Sequence, residues 1–147
     1  MYVVTATARG ERAGCLVGFG TQTSIHPARF LACISRKNHT LPVASQADLL
    51  AVHFLSDEPS ERELAELFGS ETGDRVDKFE RAAWHEGPGG VPLLDDVPNR
   101  FVGRVVAQLD LGDHVGFLLD PLEAEKGDQF EELGFQEAKS IPPGHPA

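Results

Sequence analysis

Residues 35–40 read Ser-Arg-Lys-Asn-His-Thr, a run of strong hydrogen-bonding side chains in which Arg36 and Lys37 are cationic. They follow the apolar run RFLACI and precede residues that can start a helix. A strand that ends in a basic, donor-rich turn and then a helix is built to receive an anion such as a phosphate, and Ser35, Arg36, Lys37, Asn38 and Thr40 are the candidate contacts. Upstream, Gly18 and Gly20 flank Phe19 and remove side chains that would keep a flat molecule from the backbone. Further on, Leu111-Gly112-Asp113 reads as a tight turn that would hold His114 at the start of a strand, next to the small Gly116. Alternation puts His114 on one face with Gly116 and Leu118, opposite Val115, Phe117 and Leu119, so Gly116 should leave room beside the ring.

Other chemistries find little support. The six histidines, at 26, 39, 53, 85, 114 and 145, show no metal-ligand spacing, so no metal is expected. No Ser/His/Asp arrangement and no carboxylate pair stands out. His39 reads as a cap or surface residue, Trp84 as a core or dimer anchor, and His145 as a tail residue.

These residues need elements to position them. Residues 2–8 (YVVTATA) form a β-branched strand ending at the turn RGER. The Gly-rich run 13–24, the turn 25–29, the buried strand FLACIS and the strand DLLAVHFL follow. Residues 40–47 suit a short helix capped by Thr40 or Asn38, with Pro42 tolerated in its first turn. SERELAELFG should be a helix with Ser60 and Glu63 as a capping box, an apolar stripe of Leu64, Leu67 and Phe68, and Gly69 at its end. RFVGRVVAQLD and HVGFLLDPLEA form a hairpin, and DQFEELGF a last short helix capped by Asp128 and ended by Gly134. Roughly six strands with two or three short helices predict a mainly β fold, a barrel with the helices outside.

At 147 residues the chain suits one domain, assigned to 1–135 with a C-terminal tail over 136–147. No apolar run is long enough to cross a bilayer, and the start MYVVTATARG lacks the features of a signal peptide, which sets the expectation of a cytoplasmic protein that does not engage membranes. Cys15 and Cys33 lie in apolar strands and are expected to be free, buried thiols. Residues 1–56 hold five Lys/Arg against two acids, a net of +3, whereas residues 57–147 hold eight against twenty-one, a net of −13. An acidic whole disfavours nucleic acid as partner, and a positive first third suits a small anion.

The segments GCLVGFGTQTSIHPARFLACISRKNHT, DLLAVHFL, ELAELFG, DKF, GPGGVPLLDD and GDH, in this order and spacing, resemble the flavin reductase-like FMN-binding split-barrel family over nearly the whole chain. The resemblance implies a Greek-key split barrel and a homodimer with FMN (or FAD) near the subunit interface. It implies that Val17, Gly18, Phe19, Gly20, Thr21 and Gln22 lie along the isoalloxazine ring, and that the turn at 35–40 takes the phosphate. His114 would lie where the nicotinamide of NAD(P)H arrives. Where this chain has Gly18, Phe19 and Gly20 the family commonly has small hydroxyl residues and then an aromatic, so hydrogen bonding to the ring would fall on backbone, Thr21 and Gln22. The activity so implied is an NAD(P)H-dependent flavin reductase, with reduced flavin passing to a partner monooxygenase. The alternative is a barrel that binds a flavin or another planar cofactor without catalysis.

Overall fold

A computed structural model of the chain describes residues 1–70, 75–128 and 130–144. In chain order it runs β1 (Tyr2–Ala8), β2 (Glu11–Val17), β3 (Gly20–Ser24), β4 (Arg29–Ser35), α1 (Thr40–Ala44), β5 (Leu49–Phe54) and α2 (Pro59–Ser70). A 3-10 turn at Lys78–Glu80 leads to β6 (Trp84–Glu86), and another at Pro88–Gly90 leads to β7 (Pro92–Leu94). The long strands β8 (Arg100–Asp110) and β9 (His114–Glu125) and the short α3 (Phe135–Ala138) complete it.

Seven strands form one sheet in the order β2-β1-β5-β8-β9-β4-β3, with neighbours antiparallel. Its two edge strands, β2 and β3, are joined by Gly18 and Phe19 alone. The three Cα–Cα steps from Val17 to Gly20 span at most about 11 Å, far less than the width of roughly 29 Å of a flat seven-stranded sheet, so the sheet must curl until its edges meet. The Cys33 N–H donates to the Phe19 carbonyl at 2.9 Å and ties the joint to β4. The result is the expected mainly β barrel.

The barrel interior is filled by alternate residues of its strands, among them Val4, Val17, Ile34, Val52, Phe117 and Leu119. A second core lies under α2, where Leu64, Leu67 and Phe68 make the expected stripe against Val3, Phe79 and Leu133. Fully burying such side chains contributes roughly 1.5–3 kcal/mol each, which makes these stripes the main reason the helix stays on the barrel.

Several local expectations are corrected. Helix α2 begins at Pro59, so Ser60 is its second residue and not its cap. The carboxylate that folds back is that of Glu61, which accepts the Ser56 N–H at 2.6 Å. Gly69 lies inside the helix, where a Cβ would come within 2.9 Å of Leu16 Cδ2. The last helix starts after Gly134 instead of ending there: of the run 128–135, the described residues include a bridge between Ser56 and Glu132 and the buried Leu133, while Gln129 lies outside them. The short hairpin of β6 and β7 was not expected. Its Trp84 belongs to the second core, donating Nε1–H to the Phe79 carbonyl at 3.0 Å. Cys15 and Cys33 are free, but only Cys15 is buried. His145 lies outside the described residues. Among the described residues no helix is long and apolar enough to cross a membrane.

Candidate functional site

The joint that closes the barrel also opens a cavity of about 380 Å³ beside it. Val17, Gly18 and Phe19 form one wall. Ser35 and Asn38 of the basic turn lie on it with His114. The register explains this meeting, because Ser35 on β4 pairs directly with His114 on β9. The floor is apolar, with Leu16, Ile34 and Phe68.

The far wall was missed from sequence. It is the segment 135–144, assigned there to the end of the barrel and a tail, and it contributes Phe135, Lys139 and Ile141. The segment is fastened at both ends: Leu133 N–H donates to the Leu55 carbonyl at 2.9 Å and Gly144 N–H to the Gly69 carbonyl at 3.0 Å. Phe135 stacks on Phe19 with ring centroids 6.0 Å apart and planes 25° from parallel. A Cβ on Gly18 would meet the Phe135 ring at 3.1 Å, so the glycine lets a flat ring come close to the backbone, and the ring beside it is the protein's own. The alternation of apolar and polar residues that would have flagged this segment is absent in so short a run, which is why periodicity did not find it.

His114 is half-buried, its ring edge-on to Phe19 at 5.1 Å. Its Nδ1 lies 2.6 Å from Asp113 Oδ1. That hydrogen bond holds the Asp113 carboxyl below the usual carboxylate range. With Nδ1–H donated to Asp113, Nε2 is the atom His114 can turn to a ligand. One expectation fails beside it: Gly116 does not leave open space, because a Cβ there would meet Leu111 Cδ1 at 2.7 Å and Leu31 Cδ1 at 3.0 Å. The gap is filled from the turn and from β4.

The basic turn divides its side chains between several neighbours. Ser35 Oγ accepts the Lys37 N–H at 3.3 Å and Asn38 Oδ1 the Thr40 N–H at 2.9 Å. These contacts leave the Ser35 hydroxyl proton to be donated elsewhere. Arg36 turns to the β8–β9 connection, donating Nε–H to the Gly112 carbonyl at 2.7 Å and pairing with Asp110 at 2.8 Å. Its hydrogen bond keeps the Asp110 carboxyl below its ordinary range. Lys37 is exposed and off the cavity, and its charge helps hold down the Asp113 carboxyl.

Thr40 is buried beside Cys15, whose pKa burial pushes up to about 11 against a smaller lowering from the Thr40 side chain. With His39 it faces a second cavity of about 430 Å³, lined also by Arg12, Arg75 and Lys78. His39 Nε2 there lies 3.3 Å from Glu11. Gly20, Thr21 and Gln22, expected along a ring, are not on the first cavity: a Cβ on Gly20 would meet Tyr2 at 3.0 Å, and Thr21 and Gln22 are exposed on the edge strand with local hydrogen bonds.

The first cavity can hold a planar, partly apolar molecule with a polar or anionic end. It has the Gly18 backbone with the Phe135 ring against it, a second aromatic neighbour in Phe19, and donors at Ser35, Asn38 and Lys139. A flavin fits that donor set.

The family model described as "Flavin reductase like domain" matches residues 1–140. The chain is 28% identical over 112 residues to FMN reductase (NADH) RutF of Stutzerimonas stutzeri, covering 76% of this chain and 63% of that one. It is 29% identical over 126 residues to FMN reductase (NADH) RutF 2 of Rhizobium rhizogenes, covering 86% and 71%. The chain therefore spans less than two thirds of the first relative's length. Among solved structures, the NADH:FAD oxidoreductase SgcE6 of Streptomyces globisporus superposes with a TM-score of 0.79 at 23% identity, over 89% of this chain and 77% of that one. A flavin reductase domain protein from an Arthrobacter species gives 0.78 at 23% identity, over 89% and 79%. These superpositions carry the fold.

Proposed function

The chain belongs to the flavin reductase like domain family, and on that premise we propose that it is an NAD(P)H-dependent reductase of FMN, with FAD the related option. The observation that carries this reading is the cavity at the barrel joint, where the Gly18–Phe19 backbone, the Ser35–Asn38 turn and His114 meet. When bound, the flavin supplies the two-electron chemistry, and the protein's tasks are to bind, orient and shield. Val17, Gly18 and Phe19 give the ring a flat seat. Ser35 and Asn38 donate to the polar tail. Reduced flavin passes to a second enzyme such as a monooxygenase. The relatives named FMN reductase (NADH) support this reading.

The second reading, a barrel that holds a flavin without catalysis, is favoured by one feature. Gly18 and Gly20 offer no hydroxyl to the ring, and Phe135 already lies against Gly18. Purified protein that carries a flavin spectrum, or acquires one with FMN, and oxidises NADH only with flavin present supports the reductase. Bound flavin without NADH or NADPH oxidation would leave the second reading standing.

His114 is proposed to orient the nicotinamide. His114→Ala is expected to lower NADH-dependent reduction at least tenfold, about 1.4 kcal/mol of transition-state stabilisation. FMN affinity measured by fluorescence quenching should change little. A fully active variant would leave His114 as a structural turn residue, and one that loses FMN would make it a flavin ligand.

A homodimer is part of the same proposal. Val106, Leu109 and Leu122 are 45%, 40% and 52% exposed on the β8–β9 ribbon, an apolar surface that a twofold copy would cover. Sedimentation should give a dimer at micromolar concentration, and a monomer with FMN bound would refute a shared site.

A further inference from the structure

Among the described residues lining the cavity at the barrel joint there is no Asp or Glu, and Lys139 is the one Lys or Arg. In a chain of net charge −10 this is an unusual wall. The other positive group there, the Met1 ammonium, donates to the Leu133 carbonyl at 2.6 Å. Arg36 of the basic turn is held away by Asp110 and the Gly112 carbonyl.

The backbone of Lys139 is well placed. Ala138 beside it is buried, with its N–H donating to the Gly134 carbonyl at 3.2 Å, and Ile141 N–H donates to the Ala138 carbonyl at 3.0 Å. Ile141 packs in the core under α2. A flexible ammonium stem thus starts from a fixed base on the lining of a cavity that also carries Ser35 and Asn38 among largely apolar residues. Low-dielectric walls of this kind strengthen the field of a lone charge.

We infer that Lys139 is the cation that holds the anionic end of this cavity's ligand, gripping it opposite Ser35 and Asn38, so that the C-terminal segment makes the cavity select FMN over riboflavin. The inference rests on the flavin reading of the cavity. It differs from a phosphate site built by the turn alone, because it needs a residue about a hundred positions further along the chain.

The test is binding of FMN and riboflavin, followed by flavin fluorescence at low and moderate salt, to the full chain and to Lys139→Gln and Lys139→Arg. Lys139 is exposed, so neither change should disturb folding. Lys139→Gln is expected to weaken FMN about tenfold and to flatten its salt dependence while riboflavin stays within about twofold. Lys139→Arg should keep most of the preference for FMN. An unchanged FMN-to-riboflavin ratio in Lys139→Gln would overturn the role of Lys139 and leave the flavin reading intact. Selectivity that survives Lys139→Gln but collapses in Arg12→Gln with Arg75→Gln would also overturn it, moving the anion to the second cavity. If neither flavin binds the unmodified protein, the flavin reading itself falls, and the inference with it.

Discussion

Lys78→Met is expected to destabilise the protein by about 3 kcal/mol, which for a domain of this size lowers Tm by about 10 °C. Lys78 is buried, and its ammonium donates to the Gly14 carbonyl and to the Phe68 carbonyl, both at 3.1 Å. The two acceptors sit on different elements. Gly14 belongs to β2, while Phe68 lies in the last turn of α2, where carbonyls lack helical partners and the dipole favours a cation. The ammonium also lies 5.5 Å from the Phe68 ring centroid, a further reason for charge to be tolerated there. Methionine keeps most of the stem but leaves two carbonyls without this donor, each costing roughly 1–3 kcal/mol, partly offset because no ammonium need be desolvated. The loss should reach the ligand site as well, since Phe68 and Gly69 of α2 border the cavity. Chemical denaturation of the variant is the measurement, with FMN affinity as the companion. A change under about 0.5 kcal/mol would mean that the ammonium does not hold strand and helix together.

The second large effect is a loss of stability in acid that depends on His53. This side chain is fully buried on β5, with Nδ1 3.1 Å from the Val3 carbonyl and Nε2 accepting the Leu94 N–H at 3.0 Å. Both bonds require the neutral ring with its proton on Nδ1. Protonating Nε2 would remove the acceptor for Leu94 and place a charge in the core. Burial is the main cause that lowers the pKa from 6.5 to about 4. The Val3 hydrogen bond works against it, and the Arg100 charge adds to the lowering.

The sign follows from that direction. Because the folded pKa lies below the unfolded one, the unfolded chain binds the proton first as pH falls. The contribution is complete above about pH 6.5 and drains away between there and about pH 4, below which both states are protonated. Two and a half pH units at 1.36 kcal/mol each give a loss of about 3 kcal/mol. Denaturation at several pH values, compared with His53→Gln, isolates this group from the titrating carboxylates. His53→Gln should be less stable at neutral pH and should show a shallower fall between pH 6.5 and 4. Parallel curves for the two proteins would refute the assignment.

What the sequence determined by itself is the part written in short-range pattern. β-branched and apolar runs bounded by turns marked β1, β4 and β5, the tight turn at 111–113 marked the β8–β9 hairpin, and the spacing of Leu64, Leu67 and Phe68 marked the face that α2 buries. Ser35, Asn38 and His114 were also legible as site candidates, because a strand end followed by donors is a local signal, and the structure brings all three to one cavity.

Tertiary structure decided the rest, wherever a side chain's role depends on a partner distant in the chain. Arg36 could have met an anion, but it meets Asp110, 74 positions away, and is neutralised by it. Gly116 could have opened a face, but Leu111 and Leu31 fill it. Lys78 sits in a polar-looking stretch, yet carbonyls 64 and 10 positions away make its burial possible. Segment 135–144 carries no periodicity to announce it, and only its docking against Met1, Leu16 and Gly69 turns it into a cavity wall. Periodicity records which face of an element is apolar. It does not record which long polar side chain finds a partner across the fold, since that choice is made by the desolvation and hydrogen bonding that packing imposes.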